Sequence, residues 1–207
     1  MHAAEFACGV SGALPAPGGK GGATARPTLY DSVDTERLTL REPAPSDLEL
    51  VRDYYRRNAA RFAPFEPVPA DTAEDFRAWL VLREAERRAG GAAFLAFERG
   101  TQRLAAVVIL NAYSADDVPS GMLSYTVDGA FEGRGYASEA ARRVAAYARD
   151  ELGLRALIAY YHPDNARSER LLRRLGFREV ARTAVIPGFE ALMRPSVMAV
   201  LEDLSGA

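Results

Sequence analysis

Polar and apolar residues alternate through "TERLTLRE", which predicts a strand over Glu36–Glu42. The period then lengthens. In "APSDLELVRDYYRRNAA", Leu48, Leu50, Val51, Tyr54 and Tyr55 fall on one helical face, with Ser46 or Asp47 placed to cap it. Three prolines in "RFAPFEPVPA" break the chain. A second helical pattern, about Thr72 to Ala89, carries Phe76, Trp79, Leu80 and Leu82 and stops at Gly90 and Gly91. The strands "AAFLAFE" and "RLAAVVILNAY" follow, joined by the turn "RGTQ", and then "GMLSYTVD" after the loop "SADDVPS". A long helix is predicted in "FEGRGYASEAARRVAAYARDEL", ending near Gly153. Beyond it come the strand "RALIAYYH", a short helix in "NARSERLLRRLGF" closed by Gly176, and final strands in "REVARTAVI" and "SVMAVLEDL". The order β-α-α-β-β-β-α-β-α-β-β describes a mixed α/β sheet, not an alternating parallel array.

Residues 1–30 show no such period. Their run of Gly, Ala and Pro reads as a flexible tail, which leaves residues 31–207 as one domain. At 207 residues the chain buries a substantial core in that domain. Its net charge of −2 argues against a general nucleic-acid partner. The single cysteine, Cys8, has no internal disulfide partner, and the two histidines, His2 and His162, do not make a metal site. No apolar run reaches the roughly 18 residues a membrane span needs, and the first residues lack the basic segment of a signal peptide. A reduced, cytoplasmic protein without a membrane contact is the expectation, as a monomer or homodimer.

The chemistry begins at "FEGRGYASEA". Glycine, arginine, glycine between a strand and a helix leaves backbone N–H groups free at the positive end of the helix, an anion site for phosphate or pyrophosphate. Gly133 and Gly135 let the backbone approach a ligand and adopt positive φ, and Arg134 offers a charge-assisted contact. A tight turn with no ligand is the plain alternative. A dinucleotide fingerprint would want a third glycine where Ser138 stands, and a P-loop would want Gly-Lys-Ser/Thr, which is missing. Further on, "HPDNARSERLLRRLGF" sets Asn165 and Ser168 three residues apart on the first turn of a helix, so both point the same way, although simple capping by Asn165 accounts for it locally.

Taken together, "ERLTLR", "NAARFAPFEP", "YTVDGAFEGRGYASEA", "ELGLRALIAYYHPDNARSERLLRRLGF" and "RPSVMAVL" resemble the GNAT superfamily of acetyl-CoA-dependent N-acetyltransferases. Within it they resemble the ribosomal-protein N-terminal acetyltransferases, over roughly Thr35–Leu201. The resemblance implies a mostly antiparallel sheet flanked by helices, with a V-shaped splay between central strands. It implies that Glu132, Gly133, Arg134, Gly135, Tyr136 and Ala137 hold the coenzyme A pyrophosphate through their amides. Tyr125, Thr126 and Val127 would pair with the pantetheine by backbone bonds at the splay. Asn165 would contact the pantetheine arm, and Ser168 would sit near the thioester sulfur and protonate the leaving thiolate. One residue departs from the pattern: Glu132 stands where Gln or Arg is usual. A carboxylate facing a pyrophosphate is unfavourable, so its side chain is expected to turn outward.

Transfer of this type is direct attack of a neutral amine on a thioester. An α-amine of pKa ~7.8 is about a quarter neutral at pH 7.4, a lysine amine of pKa ~10.4 only ~0.1%. An α-amine therefore tolerates a weak base. Some relatives place a glutamate late on the strand after the "LGF" helix, and "REVARTAVIP" offers none there. Glu66 in "FEP" and Glu190 are the substitutes, each with a solvated surface charge as its plain alternative; His162 is a further possible base, though more simply a loop residue. "RFAPFEP" and the second helix would form one wall of the acceptor site, lined by Phe62, Phe65 and Trp79, although Trp79 is more simply a core residue. Of Tyr160 and Tyr161, at most one faces the site. Three functions follow: acetylation of a protein or peptide N-terminus, acetylation of a small amine (an antibiotic, an aminoacyl nucleotide or a biosynthetic intermediate), or a non-catalytic acyl-CoA-binding module.

Overall fold

The computed structural model describes residues 32–115, 118–184, 196–202 and 204. The tail, with Cys8 and His2, and Glu190 lie outside them. Eight strands form one sheet: β1 (Val33–Asp34), β2 (Leu38–Arg41), β3 (Ala92–Glu98), β4 (Leu104–Ala115), β5 (Val118–Val127), β6 (Ala156–Tyr161), β7 (Arg178–Ala184) and β8 (Ser196–Leu201). Their spatial order is β1-β2-β3-β4-β5-β6-β8-β7. Every neighbouring pair is antiparallel except β5 with β6. Among the described residues, four α-helices flank the sheet: α1 (Leu48–Phe62), α2 (Ala73–Arg88), α3 (Tyr136–Asp150) and α4 (Ala166–Arg174).

β3 is buried along nearly its whole length because both of its faces are covered. Leu95 and Phe97 point towards α1 and α2, joining Val51, Tyr54, Tyr55, Phe62, Phe76 and Trp79. Ala92, Phe94 and Ala96 point the other way, into a second core with α3. That helix presents Ala140, Ala141, Ala145 and Ala148 to the sheet, small side chains that let the two backbones approach closely.

The parallel seam positions the site. β5 meets β6 over three pairs only, Ser120 with Ala156, Gly121 with Leu157 and Met122 with Ile158. After Met122, β5 continues to pair with β4 alone, while Ala159–Tyr161 of β6 pair with β8. The sheet therefore opens along Leu123–Val127, in agreement with the splay expected from the resemblance. Gly121 allows the closed end of the seam: a Cβ there would lie 2.7 Å from Leu110 Cδ1 and 2.8 Å from Leu154 Cδ1.

Local readings differ from the structure at a few points. Neither Ser46 nor Asp47 caps α1 with its side chain. The Asp47 carboxylate instead accepts from the Ala44 amide (2.7 Å) and from both terminal nitrogens of Arg41 (2.7 and 2.6 Å), an ion pair that outweighs a cap. α2 starts as expected, with Thr72 Oγ1 accepting from the Asp75 amide at 3.1 Å. β1 is too short to show a period, and β5 begins three residues before "GMLSYTVD" because the hairpin pairs Ala115 with Val118.

Candidate active site

Gly133 and Gly135 carry φ of +72° and +81° and wind the chain from β5 into α3. Both values are in the left-handed region, which glycine enters without Cβ strain. Among the described residues, no backbone acceptor takes the amides of Gly133, Arg134, Gly135, Tyr136, Ala137 or Ser138. Six donors at a helix start fit a diphosphate. Around them the loop is braced. Arg37 donates from NH1 to the Arg134 carbonyl (2.7 Å) and from its backbone N and Nε to Glu139 (2.8 and 2.7 Å). The Tyr136 phenol donates to Glu98 at 2.6 Å. The Arg134 guanidinium lies near Glu98 (3.7 Å) and over the Phe131 ring.

Glu132 does not simply face outward. Its carboxylate accepts from Arg61, in the last turn of α1, and from Arg167, in the first turn of α4. Two further contacts join α1 to this loop, and a third braces the loop itself. Asn58 Oδ1 accepts from the Gly129 amide (3.0 Å), Arg57 Nε donates to Asp128 (2.5 Å), and Asp128 accepts from the Ala130 amide (2.8 Å). Burial pushes the Asp128 carboxyl up, but the Ala130 amide and Arg57 outweigh it and hold it below the usual range. Sequence reasoning passed over Arg57, Asn58, Arg61, Asp128 and Arg167, since a polar surface side chain carries no mark of a partner 35 or 71 residues away.

Where the sheet opens, adjacent residues of β5 serve opposite faces. The Tyr125 phenol lies 2.8 Å from Ser168 Oγ, bridging the opening to α4. Burial pushes this phenol up to about 12, against a smaller opposing effect of the Ser168 bond. The phenol, as distinct from the Tyr125 backbone, is a group that sequence reasoning missed. Asn165 does cap α4: its Oδ1 accepts from the Ser168 amide (3.1 Å), which leaves the side-chain NH2 to point elsewhere. On the other face, Thr126 Oγ1 and the Tyr54 phenol are 2.9 Å apart, and the next residue along that face, Ser124, is exposed.

Glu66 follows α1 on this second face. It is not the solvated charge of the plain reading. Its Oε1 is fully buried with no hydrogen-bond partner among the described residues, and desolvation raises the carboxyl from an ordinary 4.5 to about 8. Its negative charge also helps burial to raise the Tyr55 phenol. Phe65 is 46% exposed and meets the His162 ring at 6.1 Å. Phe62, expected in the acceptor wall, and Trp79, read more simply as a core residue, are both buried in the aromatic cluster, where Tyr55 stacks edge-on against each. His162 Nδ1 accepts from the Asp164 amide at 3.2 Å, a turn contact that occupies one ring nitrogen. Tyr161 is buried, and the half-buried Tyr160 donates to Met198 Sδ.

An anion-binding loop beside an opened seam, with hydroxyls on one face of the opening and a buried carboxyl on the other, suits a long ligand that is phosphorylated at one end and reactive at the other. That is the class of the acyl-coenzyme A-dependent transferases. The sequence profile of the acetyltransferase (GNAT) domain matches residues 37–178, and the chain belongs to that family. It is an acetyltransferase with acetyl-CoA as the acetyl donor. It is 25% identical over 149 residues to the [ribosomal protein uS5]-alanine N-acetyltransferase of Escherichia coli (strain K12), covering 70% of this chain and 77% of that one. The fold superposes on the ribosomal-protein-S5-alanine acetyltransferase from Vibrio fischeri with a TM-score of 0.72 at 20% identity, over 83% of this chain and 96% of the other. It superposes equally on RimL, a ribosomal L7/L12 alpha-N-protein acetyltransferase solved with coenzyme A, at 17% identity over 84% and 99% of the two chains. Among the described residues, no group of three His, Cys, Asp or Glu side chains forms a metal site, and no helix is long and apolar enough to cross a membrane.

Proposed function

We propose that this chain transfers the acetyl group of acetyl-CoA to the α-amino group of a protein or peptide N-terminus, in the cytoplasm. Acetyl-CoA supplies an activated carbonyl and a thiolate leaving group. The amides of residues 133–138 hold the diphosphate, the free edge of Tyr125–Val127 aligns the pantetheine, and Asn165 offers its side-chain NH2 to the same arm. Glu66 takes a proton from the amine as the carbon–nitrogen bond forms and the carbon–sulfur bond breaks. On the opposite face, the Ser168 hydroxyl, held by Tyr125, donates to the departing sulfur. The Tyr125 phenol stays protonated at neutral pH and passes its proton towards Ser168 as the latter donates.

One observation carries the reading. A carboxyl raised to about 8 by desolvation is matched to an α-ammonium of pKa ~7.8, so proton transfer between them is nearly balanced. Against a lysine ammonium of pKa ~10.4 the same transfer runs uphill by about 2.4 units, or roughly 3 kcal/mol. The exposed floor at Ser124 and the half-exposed Phe65 favour an extended peptide over an enclosed small amine. Two of the relatives are named as ribosomal-protein S5-alanine acetyltransferases and a third as a ribosomal L7/L12 alpha-N-protein acetyltransferase, which supports the same class of acceptor.

The test measures coenzyme A release from acetyl-CoA with N-terminal peptides, lysine-containing blocked peptides and small amines. Turnover of free N-termini, reduced about 10²-fold in Glu66→Gln and weakened in Ser168→Ala, is the expected result. Turnover of small amines alone transfers the function to a different substrate class. Binding of acetyl-CoA with no turnover of any amine identifies a non-catalytic acyl-CoA module.

A further inference from the structure

Glu132 is the residue of the loop whose charge opposes a diphosphate, and its neighbours explain why it stands there. Arg61 reaches it from α1 and Arg167 from α4, so one carboxylate gathers two guanidiniums from opposite sides of the opened seam. The three groups sum to a charge of +1, beside six amides without a backbone acceptor among the described residues. Each guanidinium has five N–H donors, and the bonds to Glu132 leave most of them available. Both side chains keep substantial exposure, 39% for Arg61 and 70% for Arg167, so an anion can reach them. The backbone makes room for this arrangement. A Cβ on Gly129 would lie 3.0 Å from Arg61 Nε and 3.2 Å from its Cζ, so the guanidinium packs on bare main chain. The Gly129 amide in turn is fixed by Asn58, one turn before Arg61 on the same helix.

We infer that Glu132 is a positioning residue: it holds Arg61 and Arg167 against the amide loop, where the two guanidiniums bind the diphosphate of coenzyme A. Long arginine side chains lose rotamer freedom when they bind a phosphate, and a carboxylate that has already ordered them removes much of that cost. The sign of the effect is then the reverse of simple electrostatics. Neutralising Glu132 removes a negative charge from a phosphate site and nevertheless weakens binding, because the two cations disperse. The inference rests on the reading of residues 132–137 as the coenzyme A loop.

The experiment is calorimetric titration with coenzyme A, and separately with pantetheine, which lacks the phosphates. It compares the wild type with Glu132→Gln, Arg61→Ala, Arg167→Ala, Gly129→Ala, the double variant Arg61→Ala/Arg167→Ala and the triple variant Glu132→Gln/Arg61→Ala/Arg167→Ala. Glu132→Gln is expected to raise the Kd for coenzyme A about tenfold, the scale of one charge-assisted bond, with pantetheine affinity unchanged. Gly129→Ala displaces Arg61 without altering any charge and is expected to weaken coenzyme A in the same direction. In the Arg61→Ala/Arg167→Ala background, Glu132→Gln is expected to add no further loss. Unligated melting temperatures separate any variant that fails to fold. Equal or tighter coenzyme A binding by Glu132→Gln overturns the inference and leaves the loop assignment standing. A folded wild type that does not bind coenzyme A overturns both.

Discussion

Glu66→Gln isolates one proton. The wild-type carboxyl goes from an ordinary 4.5 in the unfolded chain to about 8 in the fold, with desolvation as the cause. Because the folded value is the higher one, the folded state binds more protons between these two pH values. Stability is therefore largest below about 4.5 on this account and falls as pH rises towards 8. At 1.36 kcal/mol per unit, the wild type loses about 2 kcal/mol between pH 6 and pH 8 from this group alone. Glutamine keeps the shape and has no proton to lose, so the variant lacks that slope. Urea unfolding at pH 6, 7 and 8 reads the difference directly, since the other titrating groups are common to both proteins. In melting temperature it corresponds to a divergence of roughly 4–8 °C for a domain of this size, with the variant ahead at pH 8. Under the proposed function the same carboxyl is the base, so the stabilised variant is expected to be the slower enzyme, and wild-type turnover of an N-terminal peptide is expected to rise towards pH 8. Parallel stability curves across this range would falsify the buried-carboxyl reasoning, and with it the choice of base.

Tyr125→Phe removes the partner of the Ser168 hydroxyl, and kcat is expected to fall about tenfold with little change in the KM for acetyl-CoA, read by steady-state kinetics. Arg57→Ala leaves the buried Asp128 carboxylate without its ion pair and is expected to cost about 3 kcal/mol in urea unfolding. Asp128 titrates below its ordinary range, so its contribution is present above the unfolded value and is lost as pH falls through the folded one. Arg57→Ala therefore moves acid unfolding to higher pH. Gly135→Ala forces a side chain into φ +81° beside Arg37 and is expected to cost about 1–2 kcal/mol by the same assay, with weaker coenzyme A binding. Gly121→Ala pushes a methyl group into Leu110 and Leu154 at the closed end of the seam, a loss of about 1–3 kcal/mol.

The elements were legible where period and punctuation agreed. Thr72 before "AEDF" and Gly176 after "RRL" mark helix ends that the structure keeps, because a cap and a left-handed glycine are local properties. The opening of the sheet was not readable from period alone, since β5 alternates in the same way before and after Met122; it came from family resemblance. Phe62 and Trp79 show the limit for aromatic residues. Sequence placed Phe62 near the acceptor and left Trp79 between wall and core, with the core favoured; the decisive fact is that Tyr55 packs edge-on against both. Glu66 fails in the opposite direction. Nothing in "APFEPVP" reveals that its carboxyl is enclosed, because enclosure is a tertiary property; the phenols that feel its charge, Tyr54 and Tyr55, belong to the preceding helix. The pairing of Glu132 with arginines 71 and 35 residues away likewise belongs to tertiary structure alone.

The short seam has a mechanical consequence. With three pairs joining β5 to β6, the strands β1–β5 and the strands β6–β8 form two stiff plates held by a narrow hinge and by the helices above it. A pantetheine chain laid along the free edge of Leu123–Val127 would supply the rungs that the ladder lacks. The protein then stiffens as it loads its donor, and amides on both plates exchange more slowly with solvent in the loaded state than in the free one. Once the acetyl group has left, the same rungs would hold the spent thiol, and the hinge would relax as coenzyme A departs.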